Sequence, residues 1–321
     1  MREIRYLKAV SEALNQEMEK DSSVLIIGED VRKSARGITI GFVDKFGPDR
    51  VIDTPISEQG LHEVAIGTAM MGYRPVIEYQ ISEFIFFAFD QLVDQAQKFH
   101  YLSGERVNVP ITVLVPASGA IGATSGQHSD HAYPYVMHGG MKVVMPSTPY
   151  DAKGLLISAI RDNDPVVVFL PEFLMAGKGD VPEEYYTIPL GVGEIKNPGS
   201  DITVIATGHL VPVALKVAKE YEKEGLSVEV IDPRTLLPLD TGMIKKSASK
   251  TGRVAIIDDS NRTCGFAAEV SAILAEECFD NLKKPVIRIT RADVPVPFSP
   301  PMEKYMLPNE DKLRHAIKKL I

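Results

Sequence analysis

The sequence predicts an α/β protein with largely parallel sheets, and three observations support this fold class. Short runs rich in valine and isoleucine alternate with segments in which apolar residues recur every three or four positions. Such alternation is typical of repeated strand–helix–strand units, whose strands lie parallel. The runs are apolar throughout, which indicates strands covered by helices on both faces. The length of 321 residues corresponds to roughly two domains.

The elements of the first half follow one another in a regular order. The segment from Leu7 to Leu14 has the apolar spacing of an amphipathic helix, and a second helical pattern runs from Leu61 to Met70. Further helices are predicted at 88–101 and 150–161, and strands at 24–27, 51–52, 76–79, 111–115, 142–145 and 166–169. The strand–helix alternation therefore extends over about half of the chain.

The second half repeats this alternation after a break. From about Pro171 to Asp201 the periodicity fades into a stretch rich in glycine, proline and glutamate, which is typical of a linker. Strands are then predicted at 202–206, 227–231, 254–257 and 286–289, and helices at 211–223 and 266–278. We predict a first domain of residues 1–185, a linker of residues 186–200 and a smaller α/β domain of residues 201–321.

The composition narrows the class of protein. The chain carries 43 acidic and 35 basic residues, a net charge of -8, which argues against nucleic acid as a partner because such binding depends on clustered lysine and arginine. Two cysteines are too few for a disulfide framework and lack the paired spacing of a zinc site. The N-terminal helix contains acids, unlike a targeting peptide, and no apolar stretch reaches the roughly 20 residues that cross a bilayer. We expect a cytoplasmic protein without a membrane segment.

Glu58 is the first candidate functional residue. It lies between the strand-like run 51–53 and the helix that begins near Leu61. In open α/β sheets, ligands bind where strands end at their carboxyl side. A carboxylate there is a candidate site residue, although an acid in the first turn of a helix also complements the helix dipole. Both interpretations remain open on this segment alone.

Two further segments concentrate unusual side chains. The run 84–89 holds four of the twelve phenylalanines; packing in the core is the default explanation for such a cluster, and a stacking platform for a flat ring is the sharper one. Three of the seven histidines, His128, His131 and His138, follow the glycine-rich run 117–123. No His-Glu-x-x-His pattern or cysteine pair accompanies them, so acid/base work is favoured over metal binding and, by a small margin, over a purely structural loop.

Motifs of several common enzyme classes do not occur in the sequence. We find no Gly-x-x-x-x-Gly-Lys-Ser/Thr phosphate loop, no Gly-x-Gly-x-x-Gly fingerprint and no Gly-x-Ser-x-Gly nucleophile elbow. A nucleotide-binding enzyme or a serine hydrolase is therefore disfavoured.

A series of motifs in fixed order resembles a known family. They are Gly-Glu-Asp at 28–30, Asp-Thr-Pro-Ile-Ser-Glu at 53–58, Gln-His-Ser at 127–129, the run 144–156 beginning Val-Met-Pro-Ser-Thr-Pro, Asp-Pro-Arg-Thr-Leu-Leu-Pro at 232–238 and Val-Pro-Val-Pro-Phe-Ser-Pro-Pro at 294–301. The chain resembles the beta subunit of thiamine-diphosphate-dependent 2-oxoacid dehydrogenases over essentially its whole length. The resemblance implies a transketolase-like fold, with a parallel-sheet pyrimidine-binding domain followed by a smaller α/β C-terminal domain.

The resemblance also implies roles for particular residues. Glu58 matches the acid that bonds the pyrimidine nitrogen of the cofactor, Phe84 the aromatic residue that stacks on that ring, and Glu29 and Gln80 further cofactor-binding positions. His128 matches the histidine that acts as acid or base when the acyl group passes to a lipoyl acceptor. The backbone oxygens and acids at Ile111, Ala159, Ile160, Asp162 and Asp164 match a potassium site of some members.

The family divides its cofactor site between two chains. An alpha subunit holds the diphosphate and magnesium through a Gly-Asp-Gly motif closed by paired asparagines, whereas Gly179-Asp180 is followed here by Val181 with no such pair behind it. The resemblance therefore implies an alpha partner, an assembly of two alpha and two beta chains, and a lipoylated acyltransferase core. A noncatalytic assembly subunit and half of a split transketolase are the competing hypotheses.

Departures from the family pattern leave the substrate open. They include Asp130, His131 and Tyr133 in one segment and Asp258, Asp259 and Cys264 in another, together with a shortened motif at 138–141 and a short loop after Gly-Glu-Asp at 28–30. Pyruvate, branched-chain 2-oxoacids and acetoin all remain candidate substrates.

Overall fold

A computed structural model describes residues 1–120, 122, 124 and 126–321. Within this part of the chain the strands form sheets of seven, five and two strands. The strands are β1 (Arg2–Arg5), β2 (Val24–Gly28), β3 (Val51–Asp53), β4 (Arg74–Glu78), β5 (Thr112–Ser118), β6 (Lys142–Val144), β7 (Val166–Pro171), β8 (Lys178–Val181), β9 (Glu194–Asn197), β10 (Ile202–Ala206), β11 (Val228–Asp232), β12 (Thr235–Leu237), β13 (Val254–Asn261) and β14 (Ile287–Arg291).

The helices alternate with these strands. They are α1 (Tyr6–Lys20), α2 (Phe42–Phe46), α3 (Glu58–Met70), α4 (Gln97–Leu102), α5 (Tyr133–His138), α6 (Pro149–Arg161), α7 (Leu210–Glu222), α8 (Thr241–Thr251), α9 (Phe266–Glu277), α10 (Pro300–Met306) and α11 (Glu310–Leu320). A 3₁₀ segment (Ser82–Ala88) and a π-helical segment (Gln91–Ala96) precede α4. The described part of the chain has no helix long and apolar enough to cross a membrane.

The seven-stranded sheet has the order β12-β6-β7-β5-β4-β2-β3. Neighbouring strands in this sheet run parallel to each other, except that β12 runs antiparallel to β6. Apolar side chains cover both faces of this sheet, as the continuous apolar runs predict. The carboxyl ends of β2, β3, β4 and β5 therefore meet at one edge, where ligands bind in folds of this type.

The five-stranded sheet has the order β14-β13-β10-β11-β9, with β9 antiparallel to β11. The predicted linker, residues 186–200, thus contains an edge strand of this sheet. The wider stretch from Pro171 to Asp201 also contains β8, which pairs antiparallel with β1. The division into domains of residues 1–185 and 201–321 stays a prediction, and the transketolase-like α/β architecture is confirmed.

Sequence periodicity located the long elements well. Strand 202–206 matches β10 at both ends, and helix 150–161 begins one residue late. Helix 88–101 was wrong in kind over its first part, where the chain is 3₁₀ and then π-helical. Helix α6 starts where it does because the Thr148 side chain accepts the Asp151 N–H at 3.0 Å and Pro149 fits the first helical turn.

Two of the family-like motifs contact each other across the boundary between the sheets. Strand β12 leaves the C-terminal half and pairs with β6. Beside it, Arg234 lies 2.6 Å from an Asp151 carboxylate oxygen, and Lys196 lies 2.7 Å from the other. Ser147 donates to Asp232. The motifs at 144–156 and 232–238 therefore join the two halves rather than line the strand ends that hold Glu58.

Lys153 is a fully buried cation that ties three segments together. Its ammonium lies 2.7 Å from Glu12 of α1 and donates to the backbone oxygens of Pro182, Glu183 and Glu184 at 2.9–3.0 Å. It thus connects α6 to α1 and to the chain that follows β8.

Replacement of Lys153 by methionine should destabilise the chain strongly. The apolar side chain leaves Glu12 Oε1 and three carbonyl oxygens without the Lys153 donor, while Arg2 still pairs with Glu12 Oε2. Breaking a buried pair in this way costs about 3–5 kcal/mol. Chemical denaturation should show this loss of unfolding free energy. The control Lys216→Met breaks an exposed pair with Glu310 and should cost about 0–1 kcal/mol; equal costs for the two variants would contradict the assignment.

Candidate functional site

The strand ends of the seven-stranded sheet bring four of the sequence-predicted site residues to one edge. Glu29 directly follows β2, and Glu58 is the first residue of α3, close behind β3. Gln80 follows β4, and Phe84 lies in the 3₁₀ segment after it. The parallel order of these strands, rather than their separation in sequence, places them together.

Glu58 is a mostly buried residue of this edge. It is 8% exposed, its contact with His62 is made by the backbone, and its carboxylate oxygens are not among the fully buried atoms that lack a partner, so they reach solvent at this edge. Its backbone oxygen lies 3.0 Å from Nδ1 of His62, which lies equally close to the Tyr79 hydroxyl. Burial lowers the pKa of His62 to about 4, so this ring is neutral. A helix N-terminus favours the Glu58 charge, and a carboxylate that reaches the cleft from a mostly buried residue is open to an external donor.

Glu29 and Gln80 are linked to each other. The Gln80 amide donates to the backbone oxygen of Glu29 at 2.8 Å and accepts from Arg36 at 3.1 Å. Burial raises the pKa of the Glu29 carboxyl, and the nearby charge of Glu58 raises it further. The carboxyl groups of Glu29 and Glu58 therefore lie near each other. The Gln80 amide holds the backbone at Glu29.

Phe84 and His128 form the second contact among the predicted residues. Their ring centroids lie 5.8 Å apart in an edge-to-face arrangement. Neighbouring residues fix this contact, because the Asp130 N–H donates to Glu83 and the Ala132 N–H donates to Ser82 at 3.0 Å. The structure thus brings together the candidate stacking ring and the candidate acid or base.

The phenylalanine run is divided between core and surface: Phe84 and Phe89 pack against the core, whereas Phe86 and Phe87 do not. Phe86 is 42% exposed and Phe87 is 66% exposed, so core packing was the wrong explanation for these two rings. Ile56, two residues before Glu58, is 82% exposed. Exposed apolar side chains therefore flank the strand ends of this sheet.

The three clustered histidines go to different places. His128 contacts Phe84, His131 is buried at the boundary between the two sheets, and His138 ends α5 beside a cavity of about 480 Å³. Ile121 and Ala123 of the glycine-rich run, and Ser125, lie outside the described residues. No group of three metal-binding side chains occurs in the described part of the chain.

A buried charge network lies where the C-terminal half meets the His128 loop. The Asp259 carboxylate accepts from His131 Nε2 at 3.0 Å and lies 3.4 Å from Arg291 Nε. His131 Nδ1 lies 2.6 Å from the Ser118 hydroxyl. Burial acts to raise the pKa of Asp259, but the charge of Arg291 and the bond from His131 outweigh it and hold the pKa at about 2.

Tyr133 and Asp258 form a second buried contact beside this network. The Tyr133 hydroxyl donates to Asp258 at 2.6 Å, and Thr207 donates to the same oxygen at 2.8 Å. The two segments that depart from the family pattern therefore contact each other. Sequence reasoning noted the departures but missed Arg291, whose only signal was a basic residue at the end of an apolar strand.

The potassium candidates are already bonded to cationic side chains. Lys142 donates to both Asp162 carboxylate oxygens at 2.8 Å and to Asp164 at 2.9 Å. Arg74 donates to the backbone oxygens of Ile160 and Asp162 at 3.0 and 2.8 Å. The side chains do not fit a potassium ion, and only the second lone pairs of the carbonyl oxygens are left for one.

Gly179 and Asp180 do not form a phosphate-binding loop. They lie within β8, where they pair with Ile4 and Glu3 of β1. The described part of the chain therefore offers no diphosphate site at the position where the sequence shows half of that motif.

Two family models match the chain. The pyrimidine binding domain of transketolase matches residues 2–177, and the transketolase C-terminal domain matches residues 191–313. A solved structure described as a split gene transketolase, inactive beta4 tetramer, superposes with a TM-score of 0.79 over 99% of this chain and 98% of that chain. Its sequence identity of 23% supports the fold alone.

Three proteins of Bacillus subtilis (strain 168) are similar to the chain over nearly its full length. The acetoin:2,6-dichlorophenolindophenol oxidoreductase subunit beta is 44% identical, covering 95% of this chain and 93% of that protein. The 2-oxoisovalerate dehydrogenase subunit beta is 42% identical, covering 98% of both. The pyruvate dehydrogenase E1 component subunit beta is 40% identical, covering 100% and 99%.

Glu78, at the carboxyl end of β4, should make stability fall as the pH rises. It is 1% exposed, and neither carboxylate oxygen has a partner in the described residues. Burial raises its pKa from 4.5 to about 7, although Arg36 acts to lower it. The unfolded carboxyl ionises above its ordinary pKa while the folded one keeps its proton, so stability is lost progressively between the two values.

Replacement of Glu78 by glutamine should remove this pH dependence. The difference in unfolding free energy between Glu78→Gln and the parent should grow by about 3 kcal/mol from acidic to mildly alkaline pH, since one pKa unit is worth about 1.4 kcal/mol. Denaturation at the two pH values measures it. The control Glu276→Gln, at an exposed position of α9, should change the unfolding free energy by the same small amount at both pH values. If the difference between Glu78→Gln and the parent did not vary with pH, the prediction would be contradicted.

Proposed function

Because this chain belongs to the transketolase-like beta subunits of 2-oxoacid dehydrogenases, we propose that it forms, with an alpha subunit, an enzyme for the oxidative decarboxylation of a 2-oxoacid. The family resemblance is confirmed by the matches to both transketolase domains and to three beta subunits. The chain is thus an oxidoreductase subunit. The acyl product is proposed to pass to the lipoyl group of an acyltransferase core.

The observation that carries the site assignment is the open carboxylate of Glu58. The residue is mostly buried, yet its carboxylate oxygens reach the cleft and are free to accept a hydrogen bond from a ligand. The family implies thiamine diphosphate, whose aminopyrimidine ring offers a nitrogen for such an acid and a flat face for an aromatic side chain. Glu58 and Phe84 fit these two requirements, and both lie at the carboxyl edge of the sheet.

When bound, thiamine diphosphate supplies a nucleophilic carbon and an electron sink for decarboxylation. Glu58 would share a proton with the pyrimidine nitrogen and thereby set the tautomer of that ring. Phe84 would hold the ring face, and Glu29 and Gln80 would close the side of the site next to Glu58. His128, in contact with Phe84, would exchange a proton with the lipoyl acceptor during acyl transfer.

The second half of the site is proposed to come from the alpha subunit. This chain has Gly179-Asp180 inside a paired strand, so the alpha subunit would hold the diphosphate and magnesium. Phe86, Phe87 and Ile56 are exposed around the strand ends, and apolar groups of this size are covered in stable interfaces. We propose an assembly of two alpha and two beta chains in the cytoplasm, with the first and second domains divided as the sequence predicts.

A potassium ion at this site would be bound by backbone oxygens alone. Lys142 and Arg74 bond the acids and two of the carbonyls, so an ion would share the carbonyls of Ile111, Ala159 and Ile160. It would stabilise the turn after α6 and take no part in the chemistry.

Acetoin is the second candidate substrate. The observation that favours it is the 44% identity to an acetoin oxidoreductase subunit, which slightly exceeds the identity to the two 2-oxoacid dehydrogenase subunits. A panel of pyruvate, branched-chain 2-oxoacids and acetoin, assayed with a dye acceptor on the reconstituted enzyme, separates the candidates. Turnover of sugar phosphates alone would instead indicate half of a split transketolase.

The isolated chain should be inactive. It lacks the diphosphate half of the site, so addition of thiamine diphosphate and magnesium should produce no decarboxylation of 2-oxoacids. Addition of an alpha subunit should restore turnover. Robust activity of the isolated chain in a dye-linked assay would rule out the divided site.

Replacement of Glu58 by glutamine should abolish decarboxylation by the reconstituted enzyme. The amide keeps the shape of the side chain but cannot take and return a proton, and loss of such a group lowers the rate by roughly 10²–10⁴-fold. The matched control Glu63→Gln, on the same helix at an exposed position, should retain activity. An unchanged rate in Glu58→Gln, with normal assembly by gel filtration, would remove Glu58 from the mechanism.

A further inference from the structure

Arg291 is a buried arginine that crosses from the C-terminal half to the loop that carries His128. It ends β14 and is 1% exposed. One terminal nitrogen lies 2.6 Å from an Asp130 carboxylate oxygen, and the other donates to the backbone oxygen of Ser129 at 3.4 Å. Its two partners in the loop are therefore the two residues that follow His128.

Asp259 anchors the other side of the Arg291 guanidinium. Its Oδ1 lies 3.4 Å from Arg291 Nε, and its Oδ2 accepts from His131 Nε2 at 3.0 Å. The other ring nitrogen of His131, Nδ1, lies 2.6 Å from the Ser118 hydroxyl at the end of β5. Arg291 thus contacts the loop directly and, through Asp259 and His131, also contacts its far end.

The same loop residues are tied to the segment that carries Phe84. Asp130 donates its backbone N–H to Glu83, and Ala132 donates its own to Ser82. Asp130 therefore accepts from Arg291 with its side chain and donates to the Phe84 segment with its backbone. A planar guanidinium that spans two acceptors fixes direction as well as distance, so Arg291 limits where the backbone can present the His128 ring.

We propose that Arg291 is a positioning residue that holds the His128 loop against the Phe84 segment for acyl transfer. The proposal rests on the proposed function for the role of His128, but the contacts of Arg291 stand without it. A role in stability alone would require only that the two halves stay joined. The Arg234–Asp151 contact, at 2.6 Å, joins them elsewhere and makes Arg234 a matched control.

The test compares Arg291→Gln, Arg291→Lys and Asp130→Asn with Arg234→Gln. Hydrogen exchange of the amides of residues 126–131 is measured on each purified chain. Reconstituted with an alpha subunit, each variant is assayed for dye-linked decarboxylation and for acyl transfer to a lipoyl domain. Asp130→Asn is included because it loosens the same contact while Arg291 stays paired with Asp259, so the fold is preserved.

Arg291→Gln and Asp130→Asn should speed exchange in the loop and lower the ratio of acyl transfer to decarboxylation by about 10-fold or more, since displacement by about 1 Å can cost 10²-fold. Arg291→Lys keeps the charge without the planar guanidinium. Its loop exchange rate and its ratio of acyl transfer to decarboxylation should lie between those of the other two variants and the parent. Arg234→Gln should lower the melting temperature without changing either the loop exchange or the ratio.

Two results would overturn the proposal. One is a proportional fall of both rates in Arg291→Gln and Arg234→Gln alike, which marks a purely structural role. The other is unchanged loop exchange in both Arg291→Gln and Asp130→Asn. If the parent enzyme decarboxylates no substrate, the proposed function fails, while loop exchange on the isolated chain still decides whether Arg291 positions the loop.

Discussion

The parallel order of β3, β2, β4 and β5 is the constraint on which the site depends. Parallel strands have their carboxyl ends at one edge, so Glu29, Glu58, Gln80 and Phe84 meet there although 55 positions separate the first from the last. The helix that follows β3 then begins with Glu58 itself, which places a carboxylate at the positive end of a helix dipole. The sheet therefore places Glu58 at this edge, and the N-terminus of α3 stabilises the charge of its carboxylate.

The chain completes only part of this edge from its own residues. Gln80 is bonded to Glu29 and Arg36, and Phe84 contacts His128. The Glu58 residue contacts His62 through its backbone, which leaves its carboxylate open to the cleft. Next to it, Phe87 and Ile56 are mostly exposed. Exposed apolar side chains are costly in a finished structure, and the open carboxylate can accept a hydrogen bond from a ligand. A ligand and a second chain at the same edge would use both features.

Local patterns predicted much of the fold, and the limits of that prediction have physical causes. The long apolar runs marked β2, β5, β7 and β10 because burial on both faces requires continuous apolar sequence. The edge strands β1, β8 and β9 were not predicted because they are short and partly exposed, and each contains mainly polar residues with no apolar run. The π-helical segment at Gln91–Ala96 was predicted as ordinary helix, since an extra residue per turn leaves almost no mark on apolar spacing.

The site residues were predictable where they follow a strand end within a recognisable motif, as Glu58 and His128 do. The partners that hold them were not. Arg291 and Asp130 are 161 positions apart, and no local period relates two residues that meet only when the sheets pack. The phenylalanine run shows a second limit. Its composition predicts that the rings are buried, but it does not indicate whether this chain or a partner chain buries them.

Both boundaries between the halves of the molecule are built from charges. Asp151, Lys196 and Arg234 join them at β12, and Asp259, His131 and Arg291 join them beside the His128 loop. Burying charges costs solvation energy that apolar contacts of the same volume avoid, so stability alone does not account for this choice. A charged contact requires one geometry, whereas apolar surfaces tolerate sliding. Charges at both boundaries therefore fix the orientation of the C-terminal half, and at the second boundary the contacts of Arg291 also hold the His128 loop.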